Sequence, residues 1–266
     1  MNTNNLNKKI WLYGKHVTLS ILKNQKRHCY QIWLTKKNQE NLILPKTNYK
    51  YPIYIKQNKD FIKKFGNQSV HQGCAIETTK LKLINIKSTI PAKENSKALF
   101  IILDQIKDPQ NIGSILRSAA VFKANAVIIT NHNTVNNDST IITKISSGAI
   151  EICPLIRINN LQNTLKILKQ NKIWICGLDE RKNLNNNYFT DIQNTVLPIR
   201  IAFLIGSEGK GLRYASRNQC DFSISIPTNN KFSTLNISSA STIALYSFYV
   251  QNYIKKNNNY QFIKNF

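Results

Sequence analysis

The chain has 266 residues, 42% of them hydrophobic, and carries a formal net charge of +24 from 37 Lys and Arg against 13 Asp and Glu. A prior of roughly 150 residues per domain puts it between one and two domains, and the apolar content excludes wholesale disorder. No stretch approaches the roughly 18–20 apolar residues of a membrane span. The start, Met1 to Lys9, lacks the apolar core of a secretory signal, so the expected location is the cytoplasm. Five scattered cysteines (Cys29, Cys74, Cys153, Cys176 and Cys220), with no C-x-x-C pair, read as reduced thiols rather than a disulfide framework or a zinc site. The basic excess favours a polyanionic partner, nucleic acid first. Codon bias is the competing source of charge, because the chain is rich in Lys, Asn and Ile.

In chain order, Gly14 to Leu22 reads as a helix, Tyr30 to Thr35 and Ile53 to Ile55 as strands, and Asp60 to Phe65 as a short helix with Asp60 as its N-cap. Residues 1–85 are expected to form a first domain. The polar stretch from Ile86 to Lys97, interrupted by Pro91, is expected to be a linker. Beyond it, short Ile/Val/Leu-rich runs at Leu99–Leu103, Ala126–Ile129, Ile173–Cys176, Ile201–Ile205 and Phe222–Ile226 read as strands buried on both faces. Helical patterns intervene at Pro109 to Phe122, Thr140 to Ser147 and Leu161 to Lys169, with a long one from Leu235 to Tyr253. The alternation predicts an α/β domain with a parallel sheet over 98–255, followed by a polar tail over 256–266.

Ligands in such sheets bind beyond the carboxyl ends of the strands, which directs attention to three loops. The first contains Asp104, Asp108-Pro109, Asn111, Gly113 and Arg117; Asp108 suits an N-cap and Pro109 the first helical turn. Gly113, Arg117 and Ala120 share one helix stripe. Arg117 is either a cleft residue or one half of a structural ion pair. The second loop, Gly206-Ser-Glu208-Gly-Lys-Gly211, is either a ligand loop or a tight turn, and it matches neither a Walker A loop nor G-x-G-x-x-G. The third, Ile226-Pro227 through Thr234-Leu235-Asn236 to Ala240, opens a helix with hydroxyl and amide side chains, which also suits simple capping. His16, His28, His71 and His132 have no zinc-site spacing, no G-x-S-x-G elbow is present, and acids are sparse, so no metal site is expected.

In order, these loops resemble the three signature motifs of the SpoU (TrmH-like) RNA ribose 2'-O-methyltransferases of the SPOUT superfamily. Tyr13-Gly14-Lys-His16 and Val70-His71-Gln72-Gly73 resemble the start and end of the small RNA substrate-binding domain found in the branch that modifies 23S rRNA. The resemblance implies a trefoil-knotted α/β methyltransferase domain behind a small α/β substrate-binding domain, and S-adenosyl-L-methionine as cofactor. It implies a homodimer and methyl transfer to the ribose 2'-hydroxyl of a guanosine in 23S rRNA. By position, Gly206, Ile226 and Leu235 line the cofactor site, Arg117 works at the hydroxyl, Asn111 and Glu208 orient it and the substrate, and Asn236 shapes the site. Thr234 stands where the family usually has Ser. The alternatives are a tRNA ribose methyltransferase, or a non-catalytic rRNA-binding assembly factor on the same fold.

Overall fold

The computed structural model describes residues 9–46, 50–130, 139–179, 189–207, 209, 211–229 and 234–254. The tail over 256–266, His132, Glu208, Lys210 and Ser233 lie outside the described residues. Contacts divide the chain into two units, the first comprising Met1–Ile84, Lys107–Ala120 and Val135–Leu155, the second comprising Asn85–Ile106, Val121–Thr134 and Ile156–Phe266.

The first unit begins with β1 (Lys9–Tyr13), α1 (Lys15–Asn24), β2 (Cys29–Leu34), α2 (Lys36–Asn41), β3 (Ile53–Ile55), α3 (Asn58–Phe65) and β4 (Cys74–Thr79). The four strands form one sheet in the order β1-β4-β2-β3, antiparallel except between β2 and β3. Period-2 alternation divides the sheet's side chains. Leu12, Ile32, Leu34 and Ile76 pack with Val17, Ile21 and Leu22 of α1. Trp11 and Trp33 instead meet Phe61 and Phe65 of α3 in tilted and edge-on contacts, the two indoles 4.7 Å apart. The N-cap of α3 is Gln57, not Asp60; Asp60 occupies the third helical position, and its carboxylate accepts from the Gln57 backbone N–H at 2.9 Å. The sequence showed an acid at a helix start, but a capping box places that acid three residues inside the cap. β1 and β4 were not anticipated. They are held by pairing with each other and with β2, partners remote in sequence that no local pattern reveals.

The remaining elements are β5 (Ala98–Leu103), α4 (Pro109–Val121), β6 (Ala126–Thr130), α5 (Ser139–Ile145), β7 (Leu155–Ile158), α6 (Leu161–Gln170), β8 (Trp174–Leu178), β9 (Phe189–Asp191), β10 (Arg200–Ile205), α7 (Tyr214–Arg217), β11 (Phe222–Ser225) and α8 (Ile237–Tyr249). Two of these helices pack within the first unit. Gly113 of α4 abuts Ile145 of α5 so closely that a Cβ would collide with its side chain. The turn that follows α5 presses Gly148, at φ +84°, onto Ser20 and Val17 of α1. Beside it Glu151 forms an ion pair with Arg27 at 2.7 Å, both side chains 0% exposed.

In the second unit seven strands form a sheet in the order β7-β6-β5-β10-β8-β11-β9, and the pairings from β6 across to β9 are all parallel. β5 and β10, at the centre, are buried at every position, which is why they read as unbroken apolar runs. β10 lies between β5 and β8, and β11 between β8 and β9, so strand order departs from chain order at these two places. The 86–97 stretch is anchored to this unit. Ile86 joins its core, and buried Arg200 donates to the carbonyls of Pro91, Lys93, Ser96 and Asn171 at 3.0–3.3 Å.

Candidate active site

A cavity of about 450 Å³ opens beyond the carboxyl ends of β8, β10 and β11 in the second unit. Its apolar wall comes from Leu178, Ile205, Ile226, Leu235 and Ile237, its polar wall from Asp179, Ser207, Thr234 and Asn236, and backbone contributes at Gly206, Gly209 and Gly211. Each predicted cofactor residue (Gly206, Ile226 and Leu235) is therefore in the lining, with Asn236. The volume falls within the roughly 300–1,000 Å³ of small-molecule sites, and apolar walls with a few polar groups are their usual chemistry.

The loop after β10 is a tight turn and pocket wall at once. Gly211 N–H donates to the Ser207 carbonyl at 2.9 Å, and Gly209 and Gly211 hold φ of +75° and +64°, where glycine is free of strain. A Cβ on Gly206 would collide with the backbone of Gly211 and Leu212. The need for glycine at 206 therefore comes from the chain folding back on itself.

At the third loop Asn236 caps α8. Its Oδ1 accepts from Ser238 N–H at 2.8 Å and from the Ser238 hydroxyl at 2.6 Å. Leu235 and Asn236 thus enter the cavity wall from the rigid start of a 13-residue helix.

Asn111 and Arg117 belong to the first unit. Asp108 accepts from Gln110 N–H at 2.9 Å as α4 starts at Pro109. Asn111 is buried on the first turn, while Arg117 is exposed. Glu208 lies outside the described residues.

Residues to which the sequence gave no role, Asp104 of the first loop among them, surround the glycine loop. Asp104 and Asp179 follow directly on β5 and β8, and both are buried. Asp104 accepts two bonds from Arg213, at 2.8 and 3.0 Å, and one from the Ser216 hydroxyl at 2.7 Å; Asp179 accepts from Arg217 Nε at 2.8 Å. The available signal was an Asp at the end of each strand and two Arg four residues apart after the loop. Nearby, burial first and then the Asp221 charge push the Cys220 thiol up to about 12. Among the described residues no group of three His, Cys, Asp or Glu is placed to hold a metal, and no helix is long and apolar enough to cross a membrane.

The parallel sheet, the changes in strand order and the cavity beyond the strand ends define an α/β protein built to hold a small molecule beside loop-borne chemistry. Residues 98–246 match the SpoU rRNA methylase family, and residues 11–83 match the RNA 2'-O ribose methyltransferase substrate-binding domain. The chain belongs to the SpoU rRNA methylase family. It is 31% identical to the 23S rRNA (guanosine-2'-O-)-methyltransferase RlmB of Haemophilus influenzae over 88% of this chain and 95% of that protein. It is 26% identical to RlmB of Pseudomonas putida over 92% of this chain and 98% of that one. Among solved structures, the SpoU methyltransferase AviRb of Streptomyces viridochromogenes, in complex with AdoMet, shares the fold at a TM-score of 0.70 and 20% identity, with 91% of this chain and 90% of that one covered.

Proposed function

We propose that this protein transfers a methyl group from S-adenosyl-L-methionine to the ribose 2'-hydroxyl of a guanosine in 23S rRNA. The observation that carries the reading is the cavity formed by motifs two and three, with Gly206, Ile226, Leu235 and Asn236 in its wall, in a chain that matches the family over both domains. The mixed lining fits the cofactor: apolar side chains suit an adenine ring, and the glycine backbone and hydroxyl groups suit its polar parts. When bound, the cofactor supplies a sulfonium methyl as electrophile.

The protein's own residues then have defined tasks. A ribose hydroxyl is a weak nucleophile, so it must be oriented and its developing charge stabilised. Arg117, exposed on α4, serves this role as a fixed cation. It does not act as a general base, because a guanidinium stays protonated in proteins. Its planar fork grips an RNA phosphate and stabilises the forming alkoxide together, while the hydroxyl proton passes to that phosphate or to water. Asn111 and Glu208 orient Arg117 and the substrate, and Asn236 holds the rim of the cavity. Residues 1–85 recognise RNA, residues 86–97 connect them to the methyltransferase region over 98–255, and residues 256–266 form a tail. The homodimer, the trefoil knot and the cytoplasmic location belong to the same reading and rest on family membership.

Incubation with methyl-labelled cofactor and either 23S rRNA or tRNA tests the proposal, with digestion to nucleosides to read the product. The expected outcome is 2'-O-methylguanosine in 23S rRNA alone. Label only in tRNA would move the substrate to the other branch, and no label in either would leave an RNA-binding assembly factor.

A further inference from the structure

The glycine loop of the cofactor wall has little in its own composition to hold it. It contains two glycines at positive φ, and Gly209 is exposed; such backbone is the most freely varying in a chain. Yet it must present a fixed surface to a ligand. The register of the sheet shows what restrains it. Ile205, the last residue of β10, pairs with Leu103 of β5 on one side and with Leu178 of β8 on the other. The next residues in this row are Asp104, Gly206 and Asp179, so the loop leaves the sheet between two carboxylates. It returns at Arg213, which opens the single turn of α7. Arg213 reaches one flanking carboxylate and Arg217 the other. Ser216 adds a third bond to Asp104.

We propose that Asp104, Arg213, Ser216, Arg217 and Asp179 are positioning residues, forming a two-sided clamp that fixes Gly206, Ser207, Gly209, Gly211 and Leu212 in their cofactor-binding shape. The inference rests on the methyltransferase reading for the identity of the ligand, but the clamp itself is geometric. Both carboxylates are buried, Asp104 at 1% and Asp179 at 7% exposure, so each bond to them forms where water competes poorly. Arg213 uses a bidentate fork, which fixes direction as well as distance. The two carboxylates follow directly on β5 and β8, strands whose backbone is paired on both sides. The described loop residues are thereby tied to strands paired on both sides. Asp179 also lines the cavity, so its side of the clamp is part of the ligand surface.

The test uses the full chain as wild type, Asp104→Asn, Arg213→Ala, Arg217→Ala and Arg217→Lys. Hydrogen–deuterium exchange is read on peptides covering 206–217, S-adenosylmethionine affinity by calorimetry, and folding by thermal melting. Loss of one side of the clamp is expected to speed exchange in 206–212 and to raise the cofactor Kd about tenfold. Arg217→Lys is expected to recover part of both effects, since a charge remains without the fork. If Asp104→Asn fails to fold, the arginine variants decide, because the Arg213 side chain is half exposed. Wild-type exchange and affinity in folded Arg213→Ala and Arg217→Ala would overturn the clamp. Faster exchange with unchanged affinity would overturn its role in positioning the ligand. Wild-type protein that binds no S-adenosylmethionine would overturn the methyltransferase reading, and the exchange measurement would still decide the clamp.

Discussion

At the scale of single residues, charge placement separates function from stability. Arg117 is exposed on α4, so its truncation is expected to cost stability only within about 0.5 kcal/mol. Arg117→Ala should therefore leave a folded, cofactor-binding protein whose methyl transfer falls by about 10²–10³-fold, with little rescue by Arg117→Lys. Single-turnover methylation beside melting and calorimetry measures this, and near-normal turnover in the Ala variant would remove Arg117 from the chemistry. Arg27 and Glu151 present the opposite case. Both are fully buried, and Arg27 also donates to the Thr79 carbonyl at 3.1 Å while Asn24 donates to Glu151 at 3.2 Å. Glu151→Ala leaves a buried guanidinium without its counter-charge, an imbalance that costs about 3–5 kcal/mol. A denaturant midpoint close to that of wild type would contradict it.

The Cys220 thiol gives a pH prediction. Burial, with the Asp221 charge next, pushes it up to about 12, while Lys169 opposes. A thiol raised in the folded state stays protonated where the unfolded thiol, near 8.5, has ionised. Its contribution to stability is full below the unfolded value and is lost as pH rises toward the folded one. Since the thiolate is the reactive form, alkylation at Cys220, followed by peptide mapping, should be slow at pH 8 and still climbing at pH 10 in the native protein, whereas in denatured protein it should level off about a unit above 8.5. A native rate that levels off below pH 9 would show that the thiol is not held this way.

At the scale of elements, the three motifs were legible because each joins a strand end to a helix start with recognisable punctuation. Asp108-Pro109 does open α4, and the apolar run before Gly206 is β10. The reason for Gly206 was not legible. The sequence left a ligand loop and a tight turn open, and the fold places Gly211 and Leu212 against that Cα. Gly206→Ala is accordingly expected to distort the loop itself, so cofactor affinity and hydrogen-exchange protection of 206–212 should be lost together. Normal protection with weak binding would restore the ligand-contact explanation. Gly113 carries a similar lesson. The sequence places it only on one helix stripe with Arg117 and Ala120, whereas the fold uses it for the close approach of α4 to Ile145 of α5, a contact that depends on where the second helix packs.

At the scale of the whole molecule, the charge of +24 predicts binding to RNA that weakens steeply with salt. A protein that neutralises Z phosphates should show a log–log slope of about −0.7Z on single strands and −0.9Z on duplex. Titration at several salt concentrations measures it, and a flat response would assign the lysines to codon bias. Composition and apolar periodicity were enough to determine an α/β domain with its candidate ligand loops at the strand ends, because those signals are local and repeat along the chain. The methyltransferase reading came from the resemblance of the three ordered loops to the SpoU family. Only the tertiary structure decided that β1 and β4 exist, that α4 and α5 join the N-terminal sheet as one unit, and that Asp104 and Asp179 flank Gly206. Those facts depend on which distant segments pair and in what register, and pairing energy is gained between residues that no window along the sequence brings together.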